Sequence, residues 1–184
     1  MGIETWAREI ARTRLEVALP RRWAHVQGVA VRAAEVAALF GHDADLLVAA
    51  ALLHDVGYAP DVVQTGFHPL DGAQYLEGLN ANSRLCALIA RHSNAIQEAK
   101  LRGLESTLEG YPDERTALRD ALWWADMTTA PDGRPTTIDD RLSEVRRRYG
   151  ADHLVSKAIE ASTPELQGAA ERTCRRVKQG IPPG

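Results

Sequence analysis

The chain has 184 residues and a formal net charge of -3, with 45% hydrophobic and 26% charged residues. This length suits one domain with a sizeable core, and the composition is that of a globular protein rather than a disordered one. Lysine and arginine are scattered along the chain instead of forming a basic stripe, so the charge gives no support to a nucleic-acid partner.

The N-terminal segment and the cysteines bear on where the protein resides. Residues 1–14 carry two glutamates and lack the apolar centre of a signal peptide. The longest apolar run, 46–53, is far too short to cross a bilayer. Cys86 and Cys174 lie far apart in segments with helical patterning, so we expect reduced core thiols. We therefore expect a cytoplasmic protein with no clear membrane partner, and its oligomeric state stays open.

Apolar residues recur at helical spacing through almost the whole chain, and the alternating runs typical of strands are missing. The sequence therefore predicts an all-α helical bundle in a single domain over residues 1–184. Its helices, in chain order, are predicted at 20–40, 43–55, 68 to about 78, 83 to about 101, 113–126 and, as two or three helices, 138–179. Loops are predicted at 61–67 and 131–135.

Four of the six histidines form a pattern with two aspartates: His25, His54-Asp55, His68, His92 and Asp126. Each position lies on or at the end of a predicted helix, so a bundle can point all six side chains into one central pocket. Adjacent residues on a helix diverge by about 100°, so His54 and Asp55 can share an ion only near a helix end, which Gly57 permits. Imidazole and carboxylate ligands without thiolate suit Fe, Mn, Zn, Co or Ni.

The order of these residues, with the string His54-Asp55-Val56-Gly57, resembles the HD superfamily of metal-dependent phosphohydrolases. The pair ends an apolar helix and stands between a helical histidine and a later Ala-Asp pair, which makes the motif more specific than a bare His-Asp. The resemblance covers about residues 21–129, which we take as the core of the domain, with C-terminal helices at about 138–179.

The resemblance implies a set of ligands and two catalytic residues. One metal ion is implied to bind His25, His54, Asp55 and Asp126. Members with two ions have two further histidines, which His68 and His92 match in order, and there the aspartate of the pair bridges the ions. His54 and Asp55 are accordingly the residues expected to carry catalysis.

Basic residues near the ligands are candidates for binding the substrate. Arg22 lies three residues before His25 and shares its helix face, where a guanidinium suits a phosphate oxygen. A surface arginine is the alternative for Arg22. Arg91 and Lys100 flank His92 and are further candidates, of which only one can face the pocket.

Two divalent ions bring more positive charge than two aspartates neutralise, so the pocket attracts an anionic phosphate ester. We therefore expect a metal-dependent phosphohydrolase that cleaves a phosphate mono- or diester of a small metabolite or nucleotide. The first alternative keeps the ligands and changes the chemistry, as in the di-iron oxygenases of the myo-inositol oxygenase kind. The second is a non-catalytic HD-type binding module, which is disfavoured because no ligand position is replaced.

Overall fold

The helices form the whole scaffold of the protein. A computed structural model describes residues 2–180, and within this range it contains no β-strand, which confirms the all-α prediction. The helices are α1 (Ile3–Leu15), α2 (Pro20–Ala37), α3 (Ala44–Leu53), α4 (His68–Gly78), α5 (Ser83–Arg91), α6 (Ile96–Arg102), α7 (Glu105–Leu108), α8 (Ala117–Met127), α9 (Ile138–Tyr149) and α10 (Leu154–Gln179). The two ends of the predicted domain, residue 1 and residues 181–184, lie outside the described range.

Helix α3 is the centre of the molecule. Every residue from Leu47 to Leu53 is buried, and a helix that is apolar all round is one surrounded by protein. It packs against α1, α2, α5 and α8. The polar residues that follow it, His54 and Asp55, therefore emerge in the middle of the protein rather than at its surface.

The remaining helices enclose the space beyond the end of α3. Helix α2 packs against both α3 and α8, and α4 packs against α5 and against the 3-10 turn Val56–Tyr58. Helix α10, the longest, lies against α6, α8, α9 and the 3-10 turn His92–Asn94. Helices α9 and α10 thus form one wall over the point where the central helices end.

The apolar stretch Pro20–Tyr58 belongs to this core. It contains an 18-residue window with a mean hydropathy of 1.7, as a membrane-crossing helix would, but 56% of that window is buried inside the protein. The stretch is also interrupted at Gly41, whose positive φ of 52° separates α2 from α3. Packing of α2 against α3 accounts for its apolar character.

Several sequence expectations are corrected by the backbone. The helix predicted over residues 83–101 is broken at His92–Asn94, because Ser93 and Asn94 take positive φ angles of 47° and 58°. The helix predicted from residue 113 begins at Ala117, with Thr116 capping its N-terminus. Cys86 is buried as expected, whereas Cys174 is exposed on α10, so only the first is a core thiol.

Gly57 allows the chain after His54-Asp55 to cross α4 in direct backbone contact. A Cβ atom at this position would lie 2.0 Å from the carbonyl oxygen of His68 and 2.6 Å from the amide nitrogen of Gly72. Both obstructing atoms are backbone, so the start of α4 has to move. We expect Gly57→Ala to lower the free energy of unfolding by about 1–3 kcal/mol, measured by urea denaturation.

Gly78→Ala is the matched control for this substitution. Gly78 is the last residue of α4, and no atom lies within 4 Å of a Cβ built there. Its free energy of unfolding should stay within about 0.5 kcal/mol of the unsubstituted protein. Equal stability of the two variants would contradict the tight crossing at Gly57.

Candidate metal centre

Six side chains converge where α3, α5 and α8 end against the middle of α2 and the start of α4. They are His25 in α2, His54 and Asp55 after α3, His68 at the start of α4, His92 after α5, and Asp126 in the last turn of α8. Five of these residues are between 1% and 6% exposed, and His68 is partly buried. The six positions of the sequence pattern are therefore adjacent in space.

The six side chains form two groups that meet at Asp55. In each group the potential ligand atoms lie within 4.8 Å of one another; the groups are His25, His54 and Asp126, and Asp55, His68 and His92. Asp55 Oδ2 lies 3.3 Å from His54 Nε2, and Asp55 Oδ1 lies 3.3 Å from His68 Nε2. The two oxygens of one carboxylate thus face different groups, which is the geometry a bridging ligand needs.

Backbone carbonyl oxygens fix the orientation of three imidazole rings. His25 Nδ1 donates to Ala130 O at 3.0 Å, and His54 Nδ1 donates to Ala51 O at 2.8 Å. His92 Nδ1 donates to Ile89 O at 2.6 Å. A carbonyl oxygen only accepts, so Nδ1 must carry the hydrogen. In the neutral ring the lone pair is then on Nε2, which in each case points towards the cluster.

The environment of His54 Nε2 tests whether these residues fit a metal ion. This atom is buried and makes no hydrogen bond within the described part of the chain. Its neighbours are acceptors, Asp55 Oδ2 at 3.3 Å and Asp126 Oδ1 at 3.7 Å. Buried acceptors that face one another need a positive charge between them, which either a proton or a metal ion supplies. The donor set and its geometry therefore fit a metal ion.

The carboxylates dominate the electrostatics of the cluster. Burial alone would raise the pKa of Asp55, but Arg22 and His54 lower it well below its usual value. Burial likewise opposes the charged form of His54, yet Asp55 raises the pKa of that imidazole to about 9. Burial would raise the pKa of Asp126 too, but His25 and His54 lower it. Both aspartates are thus anionic at neutral pH. Without a metal ion, a proton on His54 offsets part of this charge.

The second histidine pair stays neutral. Burial lowers the pKa of His68, and the neighbouring His92 lowers it further. Burial and His54 do the same to the pKa of His92. The two Nε2 atoms lie 3.1 Å apart. A neutral imidazole is the form that binds a metal ion, so these two rings are in the protonation state that a metal ligand needs.

The structure places Arg22 beside the cluster. Its Nη1 donates to Asp55 Oδ2 at 2.6 Å, and its guanidinium carbon lies 4.1 Å from the centre of the Tyr58 ring. The Tyr58 ring stacks on His68 at 3.9 Å between ring centres. Arg22 is therefore held by one anionic and one aromatic contact at the edge of the metal centre.

Neither Arg91 nor Lys100 reaches this centre, which corrects the expectation that one of them faces the pocket. Arg91 is the last residue of α5, and it donates from Nε to Tyr111 O at 2.6 Å and from Nη2 to Leu108 O at 2.9 Å. Lys100 is exposed, and its Nζ lies 3.8 Å from Glu105 Oε1. Arg91 is adjacent to His92, and adjacent helical residues diverge by about 100°. Lys100 lies on α6, which the backbone break at Ser93 and Asn94 separates from His92.

A small cavity of about 110 Å³ opens onto the cluster. Its polar walls include residues that the sequence did not single out, among them Ser93, Glu98, Arg141 and Arg148. Ser93 Oγ donates a hydrogen bond to Asp126 Oδ2. Arg141 and Arg148 are seven residues apart on α9, a spacing that puts them on one helix face, but the sequence holds no signal for where that face packs.

The comparisons with known proteins agree with the geometry. The family model of the HD domain matches residues 22–176. This range includes all six clustered residues and extends beyond residues 21–129, through α9 and into α10. No curated protein and no solved structure matches the chain.

The placement of Arg91 separates a structural arginine from a substrate-binding one. Because its guanidinium donates to two backbone carbonyls, we expect Arg91→Ala to lower the free energy of unfolding by about 1–2 kcal/mol. The metal content of the purified protein should not change. Lys100→Ala is the control and should stay within about 0.5 kcal/mol. Loss of metal in Arg91→Ala, measured by elemental analysis, would argue against this placement.

Proposed function

The chain belongs to the HD domain family, and from this premise we propose that it is a phosphohydrolase that cleaves a phosphate mono- or diester of a small metabolite or nucleotide. HD domain proteins form a metal-dependent, hydrolase-like superfamily, and the cluster at the end of α3 fits such a role. The observation that carries the proposal is the buried set of Nε2 and carboxylate acceptors beside Arg22, with a cavity open to them.

Each side chain of the cluster has a distinct part in the proposed site. His25, His54 and Asp126 would hold one ion, His68 and His92 would hold a second, and Asp55 faces both groups. Divalent ions bound there supply an activated water and neutralise charge that develops on the phosphoryl oxygens. Asp55 and His54 are the residues we assign to catalysis, because Asp55 faces both groups and His54 is its neighbour in the first. The carbonyl contacts of the imidazoles keep the Nε2 atoms aimed at the cluster during turnover.

Arg22 is the phosphate-binding residue of this proposal. Its Nη1 is engaged with Asp55, and a guanidinium has further N–H groups that can donate to a phosphoryl oxygen. The stacking of its guanidinium on Tyr58 fixes its orientation, so little side-chain freedom is lost when an anion binds. Fe, Mn, Zn, Co and Ni all suit the donor set. We further propose a cytoplasmic location and a small phosphorylated substrate as the partner.

The metal stoichiometry tests the ligand assignment. We expect up to two ions per chain in the purified protein. Asp55→Ala should empty both sites because this carboxylate faces both groups, whereas His92→Ala should remove mainly the second ion. Elemental analysis together with the circular-dichroism spectrum of each variant measures this. If His92→Ala retains the full metal content and full activity, the dinuclear assignment fails.

A di-iron oxygenase is the second candidate function. It is favoured by the same observation, because four imidazoles and two carboxylates, one of which faces both groups, also suit iron. We prefer hydrolysis, because a positive pocket needs only water to cleave a phosphate ester. Oxygenation additionally requires iron in a controlled redox state.

Anaerobic assays with several metals separate the two functions. A hydrolase should release inorganic phosphate from phosphomonoesters, or an alcohol and a monoester from phosphodiesters, without oxygen. It should work with Mn, Co or Ni and should lose activity when a chelator is added. Substitution of the ligand Asp126 by Ala should abolish the same activity. Turnover that occurs only with iron and oxygen would refute the phosphohydrolase proposal and support the oxygenase.

A further inference from the structure

Helix α9 presents a linked set of charged side chains to the cavity. Arg141, Glu144 and Arg148 are spaced by three and four residues, so they lie on the same face of α9. Glu144 Oε2 accepts from Arg141 Nη1 at 2.6 Å, and Glu144 Oε1 accepts from Arg148 Nε at 2.9 Å. Both arginines line the cavity of the metal centre. One carboxylate therefore holds two guanidinium groups together at the cavity wall.

Arg141 is almost fully buried and incompletely paired, and unlike Arg119, which shares these properties, it lines the cavity of the metal centre. Its side chain is 9% exposed, and its Nε is buried with no hydrogen-bond partner in the part of the chain that the structure describes. An unpaired buried donor on a charged group costs free energy, so such a donor in a cavity wall points to a ligand oxygen.

We infer that Arg141 is a second phosphate-binding residue of this cavity, that Glu144 positions it, and that the substrate is a phosphomonoester. This inference rests on the proposed function. Arg22 comes from α2 and Arg141 from α9, so the same phosphoryl group meets guanidinium donors from two separate walls. A monoester offers three non-bridging oxygens and up to two negative charges, whereas a diester offers two such oxygens and one charge. Two arginines beside a metal centre therefore match the monoester better.

Glu144 has a positioning role because it touches Arg141 and Arg148, and the cavity walls do not include it. Its carboxylate fixes Arg141 through Nη1 only, which leaves the rest of the guanidinium edge available to an anion. Replacement by glutamine keeps the size of the side chain and removes its charge. The guanidinium of Arg141 then loses its anchor but keeps its own charge.

Titration calorimetry of the Mn-loaded protein with inorganic phosphate tests the inference directly. We expect Arg141→Ala to bind phosphate at least about 10-fold more weakly, Arg141→Lys to recover only part of this loss because lysine lacks the fork of donors, and Glu144→Gln to show a smaller loss. Arg147→Ala is the matched control, since Arg147 is exposed on the same helix, and its phosphate affinity should not change. Metal content and the thermal unfolding midpoint are measured for every variant.

The outcomes distinguish this inference from the proposed function. If Arg141→Ala, or Arg141→Lys where the alanine variant does not fold, binds phosphate like the unsubstituted protein at equal metal content, Arg141 is not a phosphate ligand. If phosphate binding depends on Arg141 while no phosphate ester is hydrolysed, the anion site stands and the proposed reaction falls. In steady-state assays the loss of kcat/KM in Arg141→Ala should be larger for monoesters than for diesters. Equal losses would remove the monoester assignment.

Discussion

The burial of several hydrogen-bond acceptors in one space is the constraint on which the rest of the structure depends. His54 and His92 are held in the same way at this space. Each Nδ1–H donates to the carbonyl oxygen three residues earlier, in the last turn of the preceding helix. The carbonyls of a last helical turn lack the usual partner four residues later, and a carbonyl oxygen has two lone pairs. Ile89 O therefore accepts from both the backbone N–H and Nδ1 of His92. Each imidazole therefore uses the end of a helix to fix its tautomer and to aim Nε2 at the cluster. The ends of α3 and α5 are part of the metal centre for this reason.

This use of helix ends explains the irregular backbone around the cluster. After His92 the chain takes positive φ angles at Ser93 and Asn94, which a continuing helix would not have. The break lets Ser93 Oγ donate to Asp126 Oδ2, so the strained residue orients a ligand. After His54-Asp55, Gly57 allows the backbone to contact the start of α4 directly. Two of the four non-glycine residues with positive φ in the described part of the chain thus lie at the site, beside the regular packing of α2, α3 and α8.

The sequence predicted the helical scaffold and the six clustered residues well because both leave local signals. Apolar spacing marks helices, and a His-Asp pair before Val-Gly marks the end of one. The break at Ser93 was not predictable from spacing, because the apolar pattern continues on both sides of it. The residues that we propose to bind the substrate were predicted only in part. Arg22 shares a helix with a ligand, whereas Arg141 reaches the cavity through the packing of α9, a tertiary contact with no sequence signature.

If metal ions and a phosphate ester bind as proposed, the ion pairs around the cavity would couple the two binding events. Arg22 is held by Asp55, and Arg141 and Arg148 are both held by Glu144, so in the metal-free protein these guanidinium groups already have anionic partners. Asp55 would share its charge with metal ions bound there, so its attraction for Arg22 would weaken and that guanidinium would be freer to bind an anion. An anion that binds Arg22 in turn relieves Asp55 of an ion pair and makes it a better metal ligand. Because such a coupling is reciprocal, the anion and the metal ions each raise the affinity of the site for the other.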